Sequence, residues 1–209
     1  MDLNQDLWIN KYRPKSISEL IGNSNQINKV TNWLRNFKNK ESQASIIISG
    51  NHGIGKSIIT KLILEQQNYT IKYLYSNDSK SQKVIDEIIQ SRIKSNNIYD
   101  AMYGIKNKKI ALVIDDTETI TLTSEKNILY ELYRENEKNK YFPIIFISSL
   151  QHNKLISDIK KKCHEVKFSN PTDNDMITLI KMIINKEKMC IKDDKIINKI
   201  IKFSQYDIR

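Results

Sequence analysis

Two hydrophobic rhythms alternate along the chain. Residues 24–37, SNQINKVTNWLRNF, place Ile27, Val30, Trp33, Leu34 and Phe37 three or four positions apart, which is one face of a helix, with Ser24 as the candidate N-cap. ASIIISG at 44–50 is short and almost unbroken in its apolar character, as a strand covered on both faces is. KSIITKLILEQQ at 56–67 returns to a helix, and TIKYLYS at 70–76 is a second strand. SKSQKVIDEIIQSRIK at 79–94 is an amphipathic helix with Val84, Ile85, Ile88, Ile89 and Ile93 inward. KIALVIDD at 109–116 is a third strand, SEKNILYELYRENEK at 124–138 a helix with Ser124 as candidate cap, FPIIFISS at 142–149 a fourth strand entered at Pro143, and HEVKFS at 164–169 a short fifth.

Strands alternating with helices predict an α/β, doubly wound sheet. After SNPTD the strand pattern stops. Residues 172–187 set Met176, Leu179, Ile180 and Ile183 on one helical face, and residues 193–203 form another helix. Asn170-Pro171 is therefore a candidate boundary, with an α/β domain over residues 1–169 and a small helical domain over 170–209.

Of five glycines in the chain, three fall in SGNHGIGKS at 49–57. Gly50-Asn51-His52-Gly53-Ile54-Gly55-Lys56-Ser57 satisfies the phosphate-loop pattern G-x-x-x-x-G-K-[ST], between a predicted strand and a predicted helix. The glycines allow backbone angles that gather N–H groups around a phosphate. Lys56 supplies a compact positive charge, the Ser57 hydroxyl can ligate Mg²⁺, and the helix start adds its dipole. His52 and Ile54 read as permissive loop positions. The third strand ends in Asp115, Asp116 and Glu118. In the general phosphoryl-transfer layout Asp115 takes the Mg²⁺ role and Asp116 orients and deprotonates the attacking water. Alternatively the pair only ends the strand and caps the next turn.

The balance of 34 Lys+Arg against 24 Asp+Glu gives a net charge of +10, which favours an anionic partner, nucleic acid first. The abundance of Lys, Ile and Asn also fits coding bias toward A/T-rich codons, which deposits solvated Lys with no partner. Cys163 and Cys190 are the only cysteines and both lie among apolar neighbours, so no disulfide framework or zinc cluster is implied. No apolar run approaches the ~20 residues of a membrane helix, and the start lacks a signal-peptide core. These features predict a soluble intracellular protein in a reducing compartment.

Three separated motifs resemble replication factor C subunits, which are AAA+ ATPases. LWINKYRPKSISELIGN at 7–23 is similar to their N-terminal box W-x-x-K-Y-R-P, GNHGIGKS to their phosphate loop, and SQYDIR at 204–209 to their sensor-2 motif. NKYFPIIFISS and KKKCHEVKF fall where that family has its fourth and fifth strands. The resemblance implies an AAA+ P-loop NTPase with a five-stranded parallel sheet sandwiched by helices and a small, incomplete helical lid. It implies ATP and Mg²⁺ as cofactors. The implied partners are the other subunits of a hetero-pentameric clamp loader, a sliding clamp and primer–template DNA, at the nucleus or site of replication and with no membrane.

Carried over by position, Trp8, Lys11, Tyr12, Arg13 and Pro14 lie by the adenine and the subunit edge, or else Trp8 and Tyr12 simply pin a terminal arm to the core. Arg209 matches the sensor-2 arginine that contacts the γ-phosphate, but as the last residue it is expected to be frayed. Small subunits carry Ser-Arg-Cys, whose arginine reaches a neighbour's ATP. Here that place reads Lys161-Lys162-Cys163, and lysine lacks the planar guanidinium fork, so the chain resembles a large subunit. YSNDSKSQK at 75–83 is similar to the large-subunit segment that faces DNA, with Lys80 and Lys83 near template phosphates and Ser79 or Ser81 alongside, or else a solvated helix end.

The chain departs from the family at Asp116, where a glutamate is usual, and at Ser149, where sensor 1 is usually asparagine. The family's C-terminal collar is missing, so the chain is expected to be a fragment with weak hydrolysis. The competing expectation is a nucleotide-binding module that does not hydrolyse. A small-molecule kinase and a different DNA-acting AAA+ protein fit the N-terminal box less well.

Overall fold

A computed structural model describes residues 7–37, 39, 42–74, 109–120, 122–150, 154–190 and 194–209. The predicted helix at 79–94 and the candidate DNA contacts Ser79, Lys80 and Lys83 lie outside the described residues.

Five strands form one parallel sheet: β1 (Ser45–Ser49), β2 (Tyr69–Leu74), β3 (Lys109–Ile114), β4 (Ile144–Ser148) and β5 (His164–Lys167), in the order β2-β3-β4-β1-β5. The helices are α1 (Trp8–Lys11), α2 (Ser24–Asn36), α3 (Lys56–Gln66), α4 (Thr123–Asn139), α5 (Lys154–Lys160), α6 (Asp173–Lys186) and α7 (Asp194–Ser204). Alternation along β1 decides which side each residue serves. Ile47 packs with Leu112, Phe146, Leu129 and Leu132 on the α4 side, whereas Ile46 and Ile48 pack with Val30, Leu34, Ile59 and Ile63 of α2 and α3 on the other. Both faces are covered, which is why β1 and β4 are buried at every residue. Each fully buried Ile or Phe contributes about 1.5–3 kcal/mol, so these two central strands anchor the fold.

Helices α6 and α7 share a separate cluster of Met176, Ile197 and Ile201. The inward face of α6 differs from the predicted one: Ile177, Ile180 and Ile184 join Met176, in place of Leu179 and Ile183. One residue is a 100° step around a helix, so the choice between these neighbours is made by the position of α7. Along α7 a second stripe of Ile196, Ile200 and Phe203 faces solvent.

Two predicted caps move. Ser24 is the first residue of α2, and Asn23 precedes it in the left-handed region at φ 55°. Instead of capping α2, the Asn23 side chain bridges to the far end of the sheet: its Nδ2 donates to Ser169 O at 2.9 Å and its Oδ1 accepts from Ser169 N at 2.9 Å. Ser124 lies inside α4, which starts at Thr123 after Leu122 with no side-chain cap. By contrast α6 has a full capping box between Thr172 and Asp175. Cys163 is buried as expected, but Cys190 is exposed, because it lies beyond the end of α6 rather than under it.

Candidate functional site

All five strands are parallel, so their C-terminal ends share one edge, and three of the singled-out segments follow strands there. The loop 50–55 joins β1 to α3, the acids 115–118 follow β3, and Ser149 follows β4, which lies between β1 and β3. Gly50, Gly53 and Gly55 all have positive φ. At Gly53 the reason is steric as well as torsional: a Cβ there, at φ 72°, would stand 2.2 Å from Asp207 Cγ. Asn51 and His52 are exposed and Ile54 is buried. Asn51 Nδ2 donates to Asn170 Oδ1 at 2.8 Å, which ties the loop to the segment after the sheet.

Lys56 Nζ donates to Gly50 O at 3.0 Å and Asn51 O at 2.7 Å, so the ammonium is held against its own loop. Burial lowers its pKa, opposed by the negative charges of Glu118, Asp115 and Asp116, while Arg209 adds to the lowering. One cation thus lies within electrostatic reach of three acids and an arginine. Ser57 is exposed in the first turn of α3.

Asp116 sits in the left-handed region at φ 47°, a strained conformation for a residue with a side chain. Partial desolvation raises its pKa, and the adjacent charges of Asp115 and Glu118 raise it further. The Asp115 carboxylate accepts from Asp116 N at 2.9 Å. Two neighbours carry structure that sequence reasoning did not assign. Glu118 accepts from Ser149 N through both oxygens, at 3.1 and 3.2 Å. Thr117 is fully buried, and its hydroxyl donates to Ile147 O at 2.8 Å with Ile114 O as a second acceptor at 3.2 Å. Ser149 itself is buried at the end of β4.

The N-terminal box does not pin to the α/β core alone. Lys11 Nζ donates to Glu187 Oε1 at 2.7 Å and Tyr12 OH to the same oxygen at 2.6 Å, just past the end of α6. Lys11 and Lys186 each place an ammonium 5.6 Å from the Tyr12 ring, and Trp8 meets that ring edge-on at 6.3 Å. Ile17 and Leu20, further along, pack on the α2–α3 side of the sheet. Trp8 is about half exposed, and Arg13 and Pro14 continue the arm between these two anchor points.

The Arg209 side chain is more than half exposed. Its guanidinium grips Asp207, Nη2 to Oδ2 at 2.6 Å and Nε to Oδ1 at 3.1 Å, while Ile208 N donates to Gly53 O at 3.0 Å. Lys161 and Lys162 lie elsewhere, lining a cleft with Tyr130, Arg134 and Asp158 beneath α4. Among the described residues no three His, Cys, Asp or Glu side chains form a metal site by themselves. The donors present suit Mg²⁺, which takes few protein ligands and fills its shell with phosphate oxygens and water. No helix of the described residues is long and apolar enough to cross a membrane.

No protein-family model matches the chain. The chain is 27% identical over 244 residues to a putative replication factor C large subunit of Acanthamoeba polyphaga mimivirus, a match covering 97% of this chain and 46% of that protein. It is 24% identical to the replication factor C large subunit of Methanococcus aeolicus, covering 97% and 41%. This chain is a homologue of replication factor C large subunits. It spans less than half the length of these replication factor C relatives. Two solved structures share this fold: C. elegans PCH-2, at TM-score 0.54 and 17% identity over 84% of this chain and 51% of that one, and the Thermotoga maritima RuvB Holliday junction branch migration motor, at TM-score 0.58 and 18% identity over 85% and 55%.

Proposed function

We propose that this replication factor C homologue is an ATP-binding subunit of a clamp-loader assembly, and that residues 1–169 form its nucleotide-binding domain and 170–209 part of its lid. The convergence of Lys56 with Asp115, Asp116, Glu118 and Arg209 at the glycine loop carries this reading. Gly50 to Gly55 and the start of α3 offer backbone N–H groups to phosphate, and Lys56 leaves its loop carbonyls for phosphate oxygens. Ser57 and Asp115 are the Mg²⁺ ligands of the proposal. Bound Mg²⁺–ATP supplies the reactive phosphoryl group and most of the local charge. Asp116 serves as the base, its raised pKa suiting it to accept a proton, and Ser149 holds the water or the terminal phosphate. Trp8, Tyr12, Arg13 and Pro14 border the base between the arm's anchor points. Neighbouring subunits, a sliding clamp and primer–template DNA are the proposed partners, DNA through Ser79, Lys80 and Lys83, at the site of replication.

A second reading is favoured by the strained, short Asp116: nucleotide is bound to set the shape of the subunit and is not turned over. Fluorescent ATP titration tests binding, with Lys56→Ala expected to weaken it about ten- to hundredfold. Unchanged affinity would sink the site. Single-turnover hydrolysis by Asp116→Glu, in the presence of a neighbouring subunit that supplies an arginine, then separates the two readings. A faster rate supports the ATPase, and no gain supports the non-hydrolysing module.

A further inference from the structure

After α7 the chain turns sharply back toward the glycine loop. Gln205 and Tyr206 both adopt left-handed backbone, at φ 49° and 63°, and the turn is fixed by Asp207 N donating to Ser204 O at 2.9 Å and Tyr206 OH donating to Asp173 Oδ1 at 2.7 Å. This turn delivers the Asp207 carboxylate into the space that only a glycine at position 53 leaves open. A Cβ on Gly53 would lie 2.2 to 2.4 Å from all three carboxyl atoms. Ile208 N, bonded to Gly53 O, locks the register.

A carboxylate against a phosphate loop is a like charge placed where an anion is to bind. Its own partner is Arg209, which meets it through Nε, Nη2 and the backbone N–H, the last at 2.9 Å. Two further groups interact electrostatically with this pair, the ammonium of Lys56 with Arg209 and the side chain of His52 with Asp207. Arg209 is thus kept beside the loop but committed to Asp207.

We propose that Asp207 is a positioning residue that holds Arg209 in reserve at the loop, so that a terminal phosphate must break this pair before it can engage Arg209, and Asp207 thereby limits how strongly the chain prefers ATP to ADP. The inference rests on the glycine loop being a nucleotide site. A γ-phosphate repels the Asp207 carboxylate and attracts the Arg209 guanidinium, both of which favour the exchange, and charge-assisted bonds to phosphate replace those to carboxylate. The diphosphate offers no group at that place, so with it the pair stays closed.

Nucleotide titration of the 209-residue chain and its variants tests this, using ATP and ADP separately. Asp207→Asn frees Arg209 and is expected to raise the ratio of ADP to ATP dissociation constants about fivefold or more. Asp207→Glu, which can still grip the guanidinium, is expected to keep the parent ratio. In an Arg209→Gln background the Asp207→Asn change is expected to raise the ratio clearly less, because only the repulsion between carboxylate and terminal phosphate is then relieved. Thermal melts of each variant separate a folding defect from a change in selectivity. An unchanged ratio in Asp207→Asn, or an equal loss of both affinities, overturns the proposal and makes Asp207 only a prop for the loop. Failure of the parent chain to bind either nucleotide is a different result and overturns the site reading itself.

Discussion

Thr117 shows how a single side chain can register two strands. The pairing of β3 with β4 ends at Ile114 and Phe146, one residue before β4's own Ile147. The Thr117 hydroxyl takes over there, accepted by Ile147 O, and so fixes the turn that carries Asp116 and Glu118. Thr117→Val keeps the shape and removes the hydroxyl, leaving a buried carbonyl unpaired. It is expected to lower unfolding free energy by about 1–3 kcal/mol, measured by denaturant titration. A value within experimental error of the parent would show that the turn holds without it. At this scale the sequence is readable where the chemistry is contiguous: residues 50–57 contain their whole phosphate-binding pattern. Thr117, Glu118 and Asp207 were not readable as structural agents. Their partners Ile147, Ser149 and Gly53 are brought to them by strand register and by the two left-handed residues before Asp207, which no local spacing encodes.

Within the described residues the predicted elements followed the hydrophobic rhythm closely, since buried parallel strands and amphipathic helices differ in period. What failed were caps and rotations. Asn23 is used for a cross-link to Ser169 rather than a cap, and α6 turns its face by one residue to meet α7. The connection between arm and lid was also invisible, because Lys11 and Glu187 are 176 positions apart. That connection predicts a pH window. Glu187 is held below its ordinary value by the donors Lys11 and Tyr12, so its contribution is full above the usual carboxylate range and is lost as pH falls through the lowered value. Lys11 and Tyr12 are both raised, chiefly by their hydrogen bonds to Glu187. Their contributions are full below their ordinary values of 10.5 and 10.0 and are lost as pH rises through the raised ones. Trp8 fluorescence in a Trp33→Phe background is therefore expected to stay flat through neutral pH and to change at both extremes. A transition near neutrality would contradict the latch.

The whole chain carries +10, and the described surface includes many of its lysines. If DNA is a partner, its grip on this chain is set by phosphate neutralisation. Affinity for primer–template DNA is then expected to fall roughly tenfold or more between about 50 and 200 mM salt. Binding independent of salt would point to a different kind of contact. Architecture at this scale was legible from strand–helix alternation, while the order β2-β3-β4-β1-β5 emerged only from pairing.

One helix connects these regions mechanically. Helix α6 is 14 residues long, about 20 Å, with its capping box at the base and Glu187 at the tip. The base is tethered to the phosphate loop through Asn51 and Asn170, the tip to the arm through Lys11 and Tyr12. A stiff rod held this way is a lever. A rotation of about 5° at its base would move the tip by roughly 2 Å, so the phosphate loop and the first residues of the arm are joined through one rigid element.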